Sequence, residues 1–94
     1  MKQSRSTFPL GRIVATPGAL AALAAAGQSP HEFLARHICG DWGDLCENDR
    51  EENEVSLRTG CRLLSAYHTV LGEKLWLITE ADRSATVMLL PQEY

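Results

Sequence analysis

Residues 36–53 read RHICGDWGDLCENDREEN and bring together a histidine, two cysteines, a tryptophan between two aspartates and a run of acids. Side chains of these types can hold a divalent metal, supply a thiolate nucleophile, or act as paired acid and base. Each chemistry sets a spacing requirement. A zinc site wants four Cys or His ligands arranged as close pairs. The thiols stand at Cys39, Cys46 and Cys61 and the imidazoles at His31, His37 and His68, with no pair at ligand spacing. His37 and Cys39 lie two apart at a helix end, about 200° around the axis, and diverge. Neither a metal nor a cofactor is expected. A nucleophilic Cys46 would need a histidine or a positive helix end beside it, whereas its sequence neighbours Asp44, Glu47 and Asp49 repel a thiolate.

The carboxylates are the richer signal. Asp41, Asp44, Glu47, Asp49, Glu51, Glu52 and Glu54 crowd a short stretch, and Glu80, Asp82 and Arg83 follow in a polar turn. Acids in the first turns of a helix are stabilised by its dipole without any reaction to perform. The calcium-loop spacing of an EF-hand is absent. Two segments remain as candidate binding sites. In the first, Asp41-Trp42-Gly43-Asp44, a tryptophan expensive to leave in water is held between aspartates suited to capping backbone amides. In the second, Glu80 and Arg83 flank Asp82, which can close an Asx turn between two strands. The outward acids of the third helix, Asp49, Glu51, Glu52 and Glu54, form a further contact surface. Phosphate-cradling glycine motifs, the Gly-x-Ser-x-Gly nucleophile elbow and the His-Glu-x-x-His zinc motif are missing.

These residues need elements to position them. Thr16-Pro17 opens a first helix, with Thr16 as cap and Pro17 at its first position, and Gly27 closes it. Ser29-Pro30-His31-Glu32 reads as a capping box in which Glu32 reaches back to the cap. Phe33, Leu34, His37 and Ile38 continue at helical spacing to Gly40. A third helix is expected from about 44 to 59, with Asn48 and Glu51 offering a second, later cap, and it mostly faces water because Leu45, Cys46, Val55 and Leu57 are its only apolar groups. Stretches 62–69, 74–80 and 85–90 are rich in branched and aromatic residues and are separated by short polar breaks, the pattern of an antiparallel meander. One face of the sheet is expected under the helices and the other partly covered, by the short extended run at 12–15 or by a second subunit. The expected fold is α+β: two to three N-terminal helices packed on a small three- to four-stranded antiparallel sheet. It makes a single domain over residues 10–94, preceded by a polar arm at residues 1–9.

The bulk properties agree with a soluble domain. The chain has 94 residues, of which 45% are hydrophobic and 22% charged, room for one modest core. Three cysteines, an odd number, suit a reducing cytoplasm better than a disulfide scaffold. No apolar run approaches the roughly 20 residues of a membrane span, and the early apolar stretch is broken by Thr16-Pro17-Gly18, unlike a signal peptide. A net charge of -3 with scattered basic residues makes nucleic acid an unlikely partner.

Three stretches, VATPGALAALAAAGQSPHEFLARHICGDWGDLCEND, LLSAYH and LWLITEADRSATVMLLPQEY, resemble a family of short bacterial proteins carried on plasmids and other mobile DNA, from about residue 12 to the end. Some members bear the labels plasmid-related protein or type I restriction subunit M. The second label does not suit this chain, which lacks both the cofactor-binding glycine motif and the Asn/Asp-Pro-Pro-aromatic motif of a methyltransferase. The resemblance implies a cytoplasmic bacterial accessory protein and assigns no catalytic residue. The expected role is non-enzymatic, through a protein partner or self-association. The alternatives are a small hydrolase or nuclease built on Asp41, Asp44, Glu80 and Arg83, and an acidic DNA mimic.

Overall fold

The structure, a computed structural model, describes residues 8–94. Its elements run β1 (Arg12–Ala15), α1 (Pro17–Ala26), α2 (Pro30–Ile38), α3 (Glu47–Thr59), β2 (Leu63–His68), β3 (Lys74–Thr79) and β4 (Ala85–Leu89), with a last helical turn at Pro91–Glu93. Three helices and a four-stranded sheet make the expected α+β class, with one correction: the sheet is mixed. Strands β2, β3 and β4 form the antiparallel meander, but β1 pairs parallel with β4, giving the order β1-β4-β3-β2. The residues at 12–15 therefore extend the sheet edge and do not cover a face. Direction follows from connectivity. The chain leaves β1, crosses one face of the sheet through all three helices, enters at the far edge and meanders back to meet β1 from the other side. The segment expected as a polar arm lies, for residues 1–7, outside the described residues; Phe8 is buried.

Local chemistry explains the helix limits. The Thr16 hydroxyl accepts from the Ala19 amide, Pro17 begins α1, and Gly27 ends it at φ 66°. Ser29 caps α2 by accepting from His31 N–H. The expected capping box is incomplete: Glu32 takes a hydrogen bond from the Gln28 side chain and does not reach back to Ser29. Helix α3 starts at Glu47, with Cys46 as a cap that makes no side-chain bond, and stops at Gly60. It begins at residue 47, not 44, because the Asp44 N–H is spent on the Ala66 carbonyl beside the Gly43 bridge.

All three helices lie on one face of the sheet. Leu63, Ser65 and Tyr67 of β2, Leu75, Leu77 and Thr79 of β3, and Thr86 and Met88 of β4 point into that layer and are buried. Ala19, Leu23, Phe33 and Leu34 pack down on Tyr67, Leu75, Leu77 and Met88. A ten-residue helix such as α1 is marginal alone. Burial of side chains like Leu23 is worth about 1.5–3 kcal/mol each, so packing rather than alanine propensity holds α1 in place. A second cluster of Phe8, Trp42 and Leu63, bordered by Leu10, Leu45 and Leu57, fills the space beside α3.

Candidate functional site

The Asp41–Asp44 segment is an anchor. Trp42 is only 3% exposed, and its indole N–H donates to Glu54 of α3 at 2.9 Å. Asp41 pairs with Arg36 at 2.8 Å and accepts from the Gly43 amide, and Arg36 holds its carboxyl below the ordinary aspartate range. The Asp41 carbonyl accepts from the Tyr67 hydroxyl at 2.5 Å, and the Arg36 guanidinium lies 4.5 Å above the Tyr67 ring. The segment then runs along the outer edge of β2. Ala66 N–H donates to the Trp42 carbonyl at 3.1 Å and Asp44 N–H to the Ala66 carbonyl at 2.6 Å, a parallel bridge centred on Gly43. Gly43 has φ 77°, and a Cβ there would strike the Ala66 carbonyl and the Tyr67 ring, so the close approach requires glycine. Two residues along the same edge, Asn53 of α3 clamps Leu64, donating to its carbonyl at 2.7 Å and accepting from its amide at 3.1 Å. From Leu64 to Ala66 the β2 edge is thus satisfied by an anchor strand and a side-chain amide.

Beneath the anchor runs a buried chain of polar side chains. His37 is fully buried; its Nδ1 lies 2.5 Å from Ser65 Oγ and its Nε2 lies 2.8 Å from Thr79 Oγ1. Thr79 Oγ1 is 2.7 Å from Thr86 Oγ1, and Thr86 donates to the Leu10 carbonyl at 2.8 Å. The carbonyl at the end directs the chain. Thr86 gives its only hydrogen to Leu10, so Thr79 donates to Thr86 and His37 Nε2–H donates to Thr79. Burial keeps the imidazole neutral, so its proton is the one on Nε2 and Nδ1 accepts from Ser65. Phe8 and Trp42 meet the ring edge-on at 5.2 and 5.8 Å. Desolvation by this surrounding lowers the His37 pKa from 6.5 to about 4. Each side chain of the chain is hydrogen-bonded within it, so it joins α2 to β2, β3, β4 and the segment before β1.

The second candidate segment caps α3 from the opposite side. Arg83, at φ 61°, donates to the carbonyls of Cys61, Glu80, Ala81 and Ser56. Arginine near the last carbonyls of a helix suits its negative end. Asp82 accepts from Ser84 N–H at 3.0 Å, closing the expected Asx turn. Asp44 lies elsewhere, 2.7 Å from His68 Nδ1 at the surface. Thus Asp41, Asp44 and Arg83 each engage a different partner among the described residues, and neither hollow described below is lined by Asp41, Asp44, Glu80 or Arg83. Among the described residues no group of three or more His, Cys, Asp or Glu side chains is placed to hold a metal ion. Cys46 and Cys61 are exposed thiols.

The surface that sequence reasoning did not single out as a site is the other face of the sheet. Leu64, Ala66, Trp76, Ile78, Val87 and Leu89 point away from the helices, with Leu64, Trp76 and Val87 only half-buried. A hollow of about 340 Å³ opens there between Arg62, Leu64, Trp76, Ile78 and Tyr94. Tyr94 stands edge-on to Trp76 at 5.8 Å, and its hydroxyl accepts from Arg62 at 3.2 Å. Arg12 and Lys74, exposed on this side, add positive charge at the borders, while the acids of α3 lie across the molecule. A different hollow of about 370 Å³ follows α3, lined by Glu51, Glu52, Val55 and Cys61. Strand parity carried the signal for the open face, since Leu64, Trp76, Ile78, Val87 and Leu89 share one side once the register is known.

Comparison with known proteins adds no assignment: no family model, curated protein or solved structure matches the chain.

Proposed function

We propose that the chain is a non-enzymatic protein-interaction domain, and that its contact surface is the open face of the sheet. The observation that carries this reading is the arrangement of Arg62, Trp76 and Tyr94 over an apolar floor of Leu64 and Ile78. Tryptophan, tyrosine and arginine around a hollow are the side chains on which binding energy concentrates at protein interfaces. An apolar patch with a polar rim is the mark of such a surface. Arg12, Arg62 and Lys74 at its borders suit an acidic, apolar partner surface. The residues that looked most chemical are engaged within the fold: Asp41, Trp42 and Asp44 hold the β2 edge and its neighbourhood, and Arg83 caps α3. The resemblance in sequence suggests the setting, an accessory protein of a bacterial mobile element in the cytoplasm.

The test is capture from host-cell lysate with three baits: the wild type, Arg62→Glu, and the α3 double variant Glu51→Lys with Glu52→Lys. A partner retained by the wild type and the α3 variant but lost by Arg62→Glu supports the open face. Loss with the α3 variant alone assigns binding to the acidic helix and rejects this reading.

A further inference from the structure

Among the described residues, no strand pairs with the outer edge of β1. Arg12 N–H donates to Ser84 and Thr16 N–H to Met88, both toward β4. Backbone groups alternate along a strand, so the amides and carbonyls of Ile13 and Ala15 point outward from the sheet. Ile13 is 50% and Val14 42% exposed, projecting to opposite faces of this edge. The contrast with β2 is informative, because there the edge is occupied by Trp42, Asp44 and Asn53. An unpaired edge with exposed branched side chains is a template for another strand.

We propose that two copies of this chain pair antiparallel through β1, with a two-fold axis at Val14. In that register Ile13 of one copy faces Ala15 of the other, and each exchanges its outward N–H and C=O with its opposite, as isologous pairing demands. The side chains are self-complementary: bulky Ile13 lies over small Ala15 on the helix side, and the two Val14 side chains meet on the open side. The same register sets Arg12 opposite Thr16 of the second copy. Thr16 is where Glu93 folds back, its carboxylate accepting from the Thr16 hydroxyl at 2.5 Å and from Gly18 N–H at 3.1 Å. Arg12 has no side-chain hydrogen bond or ion pair among the described residues, and Arg12, Val14 and Thr16 share the sheet face on which Tyr94 lies. The guanidinium of each copy therefore meets the exposed Glu93 carboxylate of the other, which identifies a second copy as the occupant by charge as well as by shape. The pairing doubles the four-stranded sheet and joins the two open faces into one surface. It stands independently of whichever partner that surface binds.

Sedimentation equilibrium of the purified chain, from micromolar to millimolar concentration, tests this. A concentration-dependent monomer–dimer transition weakened by added salt is expected. Ile13→Pro removes only an outward N–H, which an edge strand tolerates, and Val14→Asp sets two carboxylates together on the axis; each is expected to raise the dimer dissociation constant at least tenfold. Circular dichroism melts confirm that the monomers stay folded. A wild type that is monomeric throughout overturns the proposal, as does a dimer indifferent to both substitutions in folded protein.

Discussion

Replacing His37 with leucine separates the buried polar chain from everything else that responds to acid. In the wild type the imidazole is neutral and fully buried, with its pKa lowered from 6.5 to about 4 by desolvation. The unfolded chain binds a proton at this residue near pH 6.5 and the folded chain only near pH 4. The unfolded state therefore holds more protons between those values, and stability falls as pH is lowered through that window. The gap, at about 1.4 kcal/mol per pH unit, comes to about 3 kcal/mol by pH 4. Asp41, Asp82 and Glu93 have carboxyl pKa values lowered by hydrogen bonds, so their contributions are present above the unfolded values and vanish only as the solution becomes more acid still. The His37→Leu variant deprives Ser65 of its acceptor and Thr79 of its donor, and should cost about 1–3 kcal/mol at pH 7. It should also lose the slope. Urea unfolding at pH 7, 5.5 and 4.5 is expected to show the wild type ahead at neutral pH and the two proteins converging at the acid end. The ¹⁵N signals of the wild-type ring should report a proton on Nε2. Equal slopes for both proteins, or a ring protonated on Nδ1, would refute the directed chain.

Substitutions at Gly43, Gly27, Asn53 and Arg83 probe the anchor and the caps. Gly43→Ala drives a methyl group into the Ala66 carbonyl and should cost more than about 2 kcal/mol, whereas Gly27→Ala, with nothing within 4 Å, should cost only about 1 kcal/mol of left-handed strain, as thermal melts will show. Asn53→Ala leaves the Leu64 amide and carbonyl without their clamp; a loss of about 2–3 kcal/mol is expected in urea, with faster hydrogen exchange at the Leu64 amide. Arg83→Ala should destabilise by about 1–2 kcal/mol through the lost carbonyl contacts, and Arg83→Gly by less, because glycine relieves the backbone at φ 61°; equal losses in the two would count against that assignment.

Local signals carried most of the fold. Thr16, Pro17, Gly27, Ser29 and Pro30 marked two helices because caps and breakers act within one turn of chain. The strands stood where branched and aromatic residues cluster. The parallel pairing of β1 was not legible, because it depends on where the chain returns after three helices and not on any property of Arg12–Ala15. The start of α3 was misplaced for a related reason: Asp44 is a good helix opener, but its amide is spent on Ala66 of a distant strand. The anchoring role of Trp42 was legible from the cost of exposing an indole. The polar chain through Ser65, His37, Thr79 and Thr86 was not, since a serine or threonine in a strand reveals no partner until the sheet is registered. A second, partly covered face was legible from the apolar residues on both sides of each strand, but only the placement of the three α-helices shows which half it is, with Leu64, Trp76 and Val87 half-buried on it.

The most direct test of the central claim is site-specific photo-crosslinking in the host cell. A crosslinking side chain is placed either at Val87, half-buried on the open face, or at Glu52, exposed on α3. A crosslink to another protein from position 87 and none from position 52 is the expected result. A crosslink from position 52 with none from position 87 would contradict it.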